Sequence, residues 1–269
     1  MNPASVASYY IKNNEEFLGE YGHQKLLEGL KKFIQITPDE INKQILGIDV
    51  GSNVGKYLEN IEQICKNNKI LAFEPNPINI SVLENRIKTN DNIQLFTCCL
   101  SNINEKGKFF NFKYSLNNDV GNGLAGLRSG GSYICDVDIF RLDHILDNLN
   151  INDLIIKFIK IDTEGNDTNV IKGMGKYLLQ TKYIIFECSD CLDDFRGPNI
   201  KNPMKNIVDY LDNNNFDTYR IGTKKLIKVN GNYWNSNYET KKFWSNCFAI
   251  KKNDHLINKL IDINFNYLY

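Results

Sequence analysis

The sequence predicts an α/β protein with a doubly wound, Rossmann-like sheet, and three observations indicate that class. An apolar run over residues 44–50 ends beside an acid and leads into the glycine-bearing segment IDVGSNVG, residues 48–55. Further apolar runs alternate with segments whose apolar residues recur every three or four positions, as in helices packed on a sheet. The resulting order of strand, helix, strand, helix and strand implies parallel strands joined by right-handed crossovers. We therefore expect a nucleotide-shaped pocket where the first strand ends.

The first half of the chain supplies three predicted strands and two helices. The strand over residues 44–50 precedes a helix whose sheet-facing residues are Tyr57, Leu58, Ile61, Ile64 and Cys65. A second strand begins at residue 70 and is stopped by prolines, so that Asn76 can cap the next helix and Pro77 can occupy its first turn. The buried stripe of that helix is Ile80, Leu83 and Ile87. A third strand is predicted over residues 93–100.

A different pattern separates these elements from the second half. Residues 108–114 predict an added strand, and residues 115–131 are rich in glycine and asparagine, which indicates a long flexible loop. A loop of this length is commonly a lid or a substrate-binding segment, and disorder without function is the alternative.

The second half continues the alternation and ends with an antiparallel edge. Its predicted strands cover residues 154–162, 183–187, 216–221 and 246–251, the last two pairing with each other, and its predicted helices cover residues 166–179 and 203–213. Near the N-terminus, Leu26, Leu27, Leu30 and Phe33 have helical spacing and predict packed helices within residues 1–43.

Composition narrows the function classes. The 269 residues contain 32 basic and 32 acidic side chains, so no excess charge favours a nucleic-acid partner. The N-terminus lacks a signal-peptide pattern and no apolar run is long enough to span a membrane, so we expect a soluble, cytoplasmic protein. Seven scattered cysteines favour reduced, mostly buried thiols. Cys188 and Cys191 form one Cys-x-x-Cys pair, but a closed zinc site needs two more ligands.

Two residues of the first glycine segment favour one kind of nucleotide over another. Asp49 lies where the chain leaves the strand, and Asn53 stands where a dinucleotide enzyme needs its second glycine. A pyrophosphate would meet a carboxylate and an extra side chain there. S-adenosylmethionine has no phosphate and carries an ammonium and a sulfonium, so an acid attracts it. The segment therefore favours a methyl donor over NAD.

Four acids end predicted strands. Asp49, Glu74, Asp162 and Glu187 follow the first, second, fourth and fifth strands, whose carboxyl ends line one crevice in a doubly wound sheet. Taken singly, each could be a solvated carboxylate or a charge at a helix N-terminus. Glu74 lies 19 residues beyond Gly55, a spacing at which an acid reaches the ribose hydroxyls of a nucleoside.

The motifs of the chain, taken in order, resemble a known family. IDVGSNVG, AFEPNP, FRLDHIL, FIKIDTEGNDTNVIKGM, IIFEC and NCFAIKK resemble successive signatures of the FkbM family of S-adenosylmethionine-dependent methyltransferases, with Lys160 to Gly165 the most distinctive piece. The resemblance implies a class I methyltransferase fold with a mixed seven-stranded sheet, helices on both faces and N-terminal helices. We accordingly expect an N-terminal helical extension (1–43), a methyltransferase domain (44–252) with an insertion or lid (101–138), and a C-terminal tail (253–269).

The resemblance also implies a set of site residues. It places Asp49, Gly51, Asn53 and Gly55 around the methionine end of the donor, with Ser52 in the same cofactor-binding loop, Glu74 on the ribose, and Leu100 and Ser101 near the adenine. The family is known mainly for O-methylation of sugars and secondary metabolites. The expected acceptor is therefore a hydroxyl group, most simply that of a sugar in a glycan or nucleotide-sugar.

A general base could remove the proton of that hydroxyl as the new bond forms. Asp162 is the first candidate, followed by Glu164 and Glu187. Asp162 and Glu187 could instead hold Mg²⁺, because hard oxygen ligands at adjacent strand ends bind this ion. His144 is a further candidate base or simply a packed residue, and the aromatic residues between 233 and 244 could stack on sugars or pack in a hairpin.

Two other functions remain open at this stage. RNA 2′-O-methylation would use a lysine beside the acceptor hydroxyl, with Lys160 or Lys182 available, although the balanced charge argues against it. A donor-binding or interaction protein without turnover is the other, because a fold does not secure an activity. The sequence does not predict an oligomeric state.

Overall fold

The computed structural model divides the chain into two compact units. The central unit is Gln35–Lys182, and the terminal unit combines Met1–Ile34 with the described residues from Tyr183 onward. The structure describes residues 2–13, 21–113, 120–124, 131–149, 151, 153–187, 204–240, 246–263 and 267–268. Within these ranges no helix is long and apolar enough to cross a membrane.

Helices and strands alternate along most of the described chain. The helices are α1 (Pro3–Lys12), α2 (Tyr21–Phe33), α3 (Leu58–Ile64), α4 (Pro77–Ile87), α5 (Leu142–Asn148), α6 (Asp167–Gly173), α7 (Met204–Asn213), α8 (Asn237–Thr240) and α9 (Leu256–Ile263). The strands are β1 (Gln44–Val50), β2 (Lys69–Phe73), β3 (Ile93–Phe96), β4 (Cys99–Leu100), β5 (Glu105–Lys113), β6 (Val120–Leu124), β7 (Ser132–Phe140), β8 (Leu154–Ile161), β9 (Thr181–Glu187), β10 (Phe216–Ile221), β11 (Lys225–Lys228), β12 (Asn246–Lys251) and β13 (Tyr267–Leu268).

The central unit is built on a parallel sheet with the strand order β3, β2, β1, β8. Every residue of β8 and all but the first of β1 are buried, which explains why these strands are continuous apolar runs in the sequence. Helix α3 packs closely on β1, since a Cβ atom at Gly47 would lie 2.6 Å from the Ile61 side chain. Helix α4 begins as predicted, with the Asn76 side chain accepting from the backbone N–H of Ile78.

A second sheet occupies the insertion, in the order β4, β7, β5, β6. The predicted single strand over residues 93–100 is wrong, because its last two residues leave β3 and pair with β7 instead. The predicted loop over residues 115–131 is wrong in part, because β6 pairs with β5 and sets Gly123 opposite Phe110. Residues 115–119 and 125–130 of that loop lie outside the described residues. Strand β7 is an addition to the prediction.

The helix predicted over residues 166–179 is interrupted. Helix α6 ends at Gly173, and a 3₁₀ turn follows over Gly175–Leu178. Gly175 has φ +51°, and a Cβ atom there would lie 2.1 Å from an Asp143 carboxylate oxygen. The close approach of α5 therefore requires a glycine at this position.

The terminal unit contains a sheet in the order β13, β11, β10, β12, β9. The predicted antiparallel pairing of β10 with β12 is confirmed. The parallel strands of the central unit number four and the strands of this sheet number five, which makes nine where seven were predicted. The two additional strands, β11 and β13, are too short for a sequence pattern to indicate them. Helices α2 and α7 are found where apolar spacing predicts them, and Leu26, Leu27 and Leu30 are buried.

Two further expectations concern cysteines and aromatic residues. The described residues include five cysteines, of which four are buried and Cys135 is partly buried, and Cys188 and Cys191 lie outside them. In the aromatic segment, Tyr238 is fully buried and packs edge-on against Tyr10 and Trp234. Phe243 and Trp244 lie outside the described residues. The packed alternative therefore holds for Tyr238.

Candidate active site

The chain turns sharply after β1 because two glycines adopt left-handed angles, Gly51 with φ +72° and Gly55 with φ +80°. The backbone N–H groups of Gly51 and Ser52 each donate to the Phe73 carbonyl at 3.0 Å, which fastens the turn to the end of β2. A Cβ atom at Gly51 would lie 2.0 Å from the Asp162 carbonyl oxygen. Glycine is therefore required where this turn, which we call the glycine loop (residues 49–55), passes the end of β8.

Glu74 follows β2, is buried and holds the glycine loop from the other side. Its carboxylate accepts from the backbone N–H of Asn53 at 2.7 Å, from the backbone N–H of Asn76 at 2.9 Å and from the Asn79 amide at 3.3 Å. Burial raises the pKa of Glu74, although these hydrogen bonds act in the opposite direction. Because a carboxylate has about four lone-pair sites, the described donors leave about one for a ligand. Asn53 has φ +52°, an angle that asparagine tolerates better than most residues.

A buried lysine links two of the predicted acids. The Lys160 ammonium lies 3.4 Å from Asp49 Oδ1 and 3.5 Å from Asp162 Oδ2, donates to the Gly51 carbonyl at 3.0 Å, and lies 5.0 Å from the centre of the Tyr57 ring. The side chain of Asp49 is fully buried, whereas that of Asp162 is 42% exposed. We call Asp49, Lys160 and Asp162 the charged cluster. It joins the ends of β1 and β8.

The pKa values of Asp49 and Lys160 are both raised, for different reasons. Burial raises the pKa of Asp49, even though the Lys160 ammonium favours the ionised form. For Lys160 burial acts to lower the pKa, but the carboxylates of Asp49 and Asp162 outweigh it and the pKa is raised. By geometry, neither carboxylate oxygen of Asp49 accepts a hydrogen bond from a described residue, whereas its carbonyl oxygen accepts one from the Ser52 hydroxyl at 2.9 Å. Asp49, expected to line the crevice, is fully buried, and Lys160, expected at the acceptor only in the RNA alternative, lies between Asp49 and Asp162.

The turn after β8 carries Asp162 and the second candidate base, Glu164. The Asp162 N–H donates to the Val50 carbonyl at 3.0 Å, which fixes the start of the turn. Glu164 has φ +58°, and Thr163 donates through its N–H and its hydroxyl to Asp167, the first residue of α6. Asp162 and Glu164 are thus held on a short, tightly bonded turn.

The residues expected near the adenine are buried beside this turn. The Leu100 carbonyl accepts from the Asn166 amide at 2.8 Å, and the Ser101 N–H donates to the Phe140 carbonyl at 2.9 Å. A Cβ atom at Gly173 would lie 2.0 Å from the Ser101 carbonyl oxygen. Leu100 and Ser101 therefore pack against α6, in the same unit as the glycine loop.

Glu187 ends β9 in the terminal unit, where it pairs with Asn246 of β12. The structure thus brings Asp49 and Asp162 into one cluster, and Glu74 is bonded to the glycine loop through the Asn53 N–H. Glu187 belongs to the other unit. Across the described residues, three or more histidine, cysteine or acidic side chains are nowhere grouped as metal ligands. The Mg²⁺ site at Asp162 and Glu187 stays a prediction.

His144 lies on α5, exposed, and stacks on Phe140 with 5.8 Å between ring centres. Its ring lies 3.3 Å from the Asn148 amide. The neighbouring Asp143 is paired with Arg141 instead. A base role for His144 stays a prediction.

The sequence of these elements matches a characterised domain. The profile described as Methyltransferase FkbM domain matches residues 49–218, well over half of the chain. The chain belongs to the FkbM methyltransferase family. It is therefore a methyltransferase with S-adenosylmethionine as its donor. The predicted fold class, that of the class I methyltransferases, is confirmed. Comparison with curated proteins finds no matching relative.

Solved methyltransferases resemble this FkbM protein distantly. An O-methyltransferase from Bacillus cereus in complex with SAH is 10% identical, with 92% of this chain and 91% of that one covered and a TM-score of 0.46. The O-methyltransferase TomG from Streptomyces achromogenes, in complex with SAM, is 7% identical over 93% and 88%, with a TM-score of 0.45. An rRNA methylase from Streptococcus thermophilus is 10% identical over 84% and 93%, with a TM-score of 0.44. Likenesses this distant do not decide the acceptor.

Proposed function

We propose that this FkbM methyltransferase methylates a hydroxyl group, and that the hydroxyl belongs to a sugar in a glycan or nucleotide-sugar. The observation that carries the proposal is Asp162, a carboxylate 42% exposed at the end of β8 and beside the glycine loop. An exposed carboxylate in that position can meet an acceptor hydroxyl, whereas the buried Asp49 cannot.

The charged cluster supports binding of a cationic donor. Two carboxylates and one ammonium leave one negative charge when all three are ionised, and the exposed Asp162 carries it toward solvent. This charge would attract the sulfonium and ammonium of S-adenosylmethionine. The attraction expected of Asp49 therefore falls to Asp162, because Asp49 is fully buried and Asp162 is 42% exposed. The remaining acceptor site on Glu74 suits a ribose hydroxyl.

Methyl transfer to a hydroxyl requires the reacting atoms to be aligned and the hydroxyl proton to be removed. The acceptor oxygen, the methyl carbon and the sulfonium sulfur must lie in line, so positioning supplies much of the acceleration. Asp162 would accept the hydroxyl proton as the oxygen attacks, worth about two to four orders of magnitude in rate. The hydrogen bond from the Asp162 N–H to Val50 would keep this carboxylate in place during the transfer.

Titration calorimetry with S-adenosylhomocysteine and a transfer assay with labelled donor test the proposal. Glu74→Ala should weaken binding, because the ribose partner and the support of the glycine loop are lost together. Asp162→Asn should bind within about tenfold of wild type and lose about 100-fold or more in turnover. Glu59→Gln, which changes an exposed acid on α3, is the control and should behave as wild type. Failure of wild-type protein to bind S-adenosylhomocysteine would contradict the proposal.

The described residues offer no comparable support for RNA as the acceptor. Lys160 is buried between two carboxylates, and Lys182 lies 3.6 Å from the Glu40 carboxylate. Both lysines that could assist a ribose hydroxyl therefore already lie beside carboxylates.

A further inference from the structure

A cavity of about 320 Å³ lies at the carboxyl end of β3, within the central unit. Its walls come from the segment after β3, from the end of β7 and from α5. Apolar surface from Phe96 and Phe140 alternates there with the polar groups of Asp138, His144 and Asn148. A mixture of aromatic walls and a few polar groups is typical of small-molecule sites.

The cavity is continuous with the exposed face of the second sheet. Along β7 the side chains alternate, so that Val137 and Ile139 are buried while Asp136 and Asp138 are exposed, and Asp138 also lines the cavity. The pairing of β7 with β5 shifts register between Phe109 and Phe110, which sets Tyr133 opposite Phe110 and returns it to the face of Asp136 and Asp138. Tyr133 is 54% exposed and meets the Phe110 ring edge-on, with 6.0 Å between ring centres. We call this surface the sheet face.

The charges of the sheet face cancel. Lys106 pairs with Asp138 at 2.8 Å, and Lys108 lies opposite Asp136 in the strand register. A phosphate or a nucleotide would find no net positive charge on this face to bind it. A neutral ring with many hydroxyls suits it better, because aromatic rings can stack on its apolar side while carboxylate and amide groups accept and donate hydrogen bonds.

The cavity is also connected to the proposed reaction site by direct bonding. Phe140 pairs with Leu100 in the strand register, and the Leu100 carbonyl accepts from Asn166, four residues after Asp162. Phe140, in the wall of the cavity, is thus linked through Leu100 to the segment that follows the candidate base.

We propose that the cavity and the sheet face bind successive sugar rings of a neutral glycan acceptor, with Tyr133 stacking on a ring at the sheet face and Asn148 hydrogen-bonding to the ring in the cavity. The inference rests on the proposed function and makes it more specific, since it favours a neutral glycan over a nucleotide-sugar.

The test is transfer of labelled methyl from S-adenosylmethionine to a panel of neutral oligosaccharides and a matched panel of nucleotide-sugars. A neutral glycan should be the better substrate. Tyr133→Ala and Asn148→Ala should each raise its KM about tenfold, while kcat and the affinity for S-adenosylhomocysteine stay unchanged. Tyr21→Ala, which removes a tyrosine 70% exposed on α2, is the matched control and should leave the KM unchanged.

Four outcomes would overturn the inference while wild-type protein still binds S-adenosylhomocysteine. They are a preference for nucleotide-sugars, the absence of any methylated neutral glycan, a wild-type KM in both variants, and a loss of S-adenosylhomocysteine affinity in either variant. The last would assign the cavity to the donor. Failure of wild-type protein to bind S-adenosylhomocysteine would instead remove the proposed function itself.

Discussion

Two buried lysines of one strand differ in how completely their charge is satisfied. Lys157 and Lys160 lie three residues apart in β8, and each side chain is only 3% exposed. The Lys157 ammonium donates to both oxygens of Glu40, at 2.8 and 2.7 Å, and to the Gln35 carbonyl at 2.9 Å. The Lys160 ammonium is 3.4 Å or more from its two carboxylates and donates at 3.0 Å to one carbonyl.

The partner acids respond in opposite directions. Burial acts to raise the pKa of Glu40, but Lys157 and the Thr37 N–H outweigh it, and the pKa is lowered. Burial raises the pKa of Asp49, because Lys160 is too distant to compensate for it. A fully bonded pair of this kind fastens the segment before β1, whereas charges left partly satisfied are typical of functional sites.

Removing Lys157 should have the largest effect on folding. Lys157→Met removes the cation that bonds to both oxygens of the buried Glu40 and leaves the half-buried Lys182, 3.6 Å away, beside it. We therefore expect a loss of about 3–5 kcal/mol in the free energy of unfolding. Urea denaturation measures this loss. Lys176→Met, which removes an exposed lysine paired with Asp147, should leave the free energy of unfolding close to that of wild type, because solvent screens this pair. Equal losses in the two variants would contradict the structural role of the Glu40–Lys157 pair.

Removing Lys160 should lower the free energy of unfolding less than removing Lys157 does, and should weaken donor binding more. In Lys160→Met the Asp49 carboxyl can take up a proton, since its pKa is already raised, and we expect a loss of about 1–3 kcal/mol. The glycine loop also loses its bond from Lys160 to the Gly51 carbonyl, so the affinity for S-adenosylhomocysteine should fall about tenfold. Calorimetry on Lys157→Met under conditions where it is folded provides the control. Unchanged affinity in Lys160→Met would separate the charged cluster from donor binding.

The difference between the two lysines also shows how far the sequence could be read. The buried runs of β1 and β8, the cap at Asn76 and the positions of Asp49, Glu74 and Asp162 at strand ends follow from local pattern, and the structure has them. Lys157 is bonded to Glu40, and Lys160 lies beside Asp49 and Gly51, all more than 100 residues away in the chain, which no local pattern gives. Asp162 is the local partner of Lys160. Two lysines inside the apolar run LIIKFIKI were nevertheless a signal, because buried lysines need partners.

The insertion was predicted least well, for two reasons. Strand β6 contains Gly121 and Gly123, and glycine is depleted in strands, so composition favoured a loop. Strand β7 does alternate in sequence, with Val137 and Ile139 buried and acids between them, and that period of two was a usable signal. The place where the chain leaves β3 for β4 is set by pairing with β7 and is therefore a tertiary effect.

Titration of Glu40 and Asp49 should change the free energy of unfolding least, since it removes no side-chain atoms. It tests the difference between the two lysines through the sign of the pH dependence. The pKa of Glu40 is lowered from 4.5, so its contribution is present above that pH and is lost as the pH falls through the lowered value. The pKa of Asp49 is raised from 3.8, so the stability it gives is present below that pH and is lost as the pH rises through the raised value. The stability of wild type relative to Glu40→Gln should therefore increase with pH, and that relative to Asp49→Asn should decrease. Urea denaturation from about pH 3 to about pH 7 measures both slopes. Slopes of the same sign would show that the two lysines satisfy their acids alike.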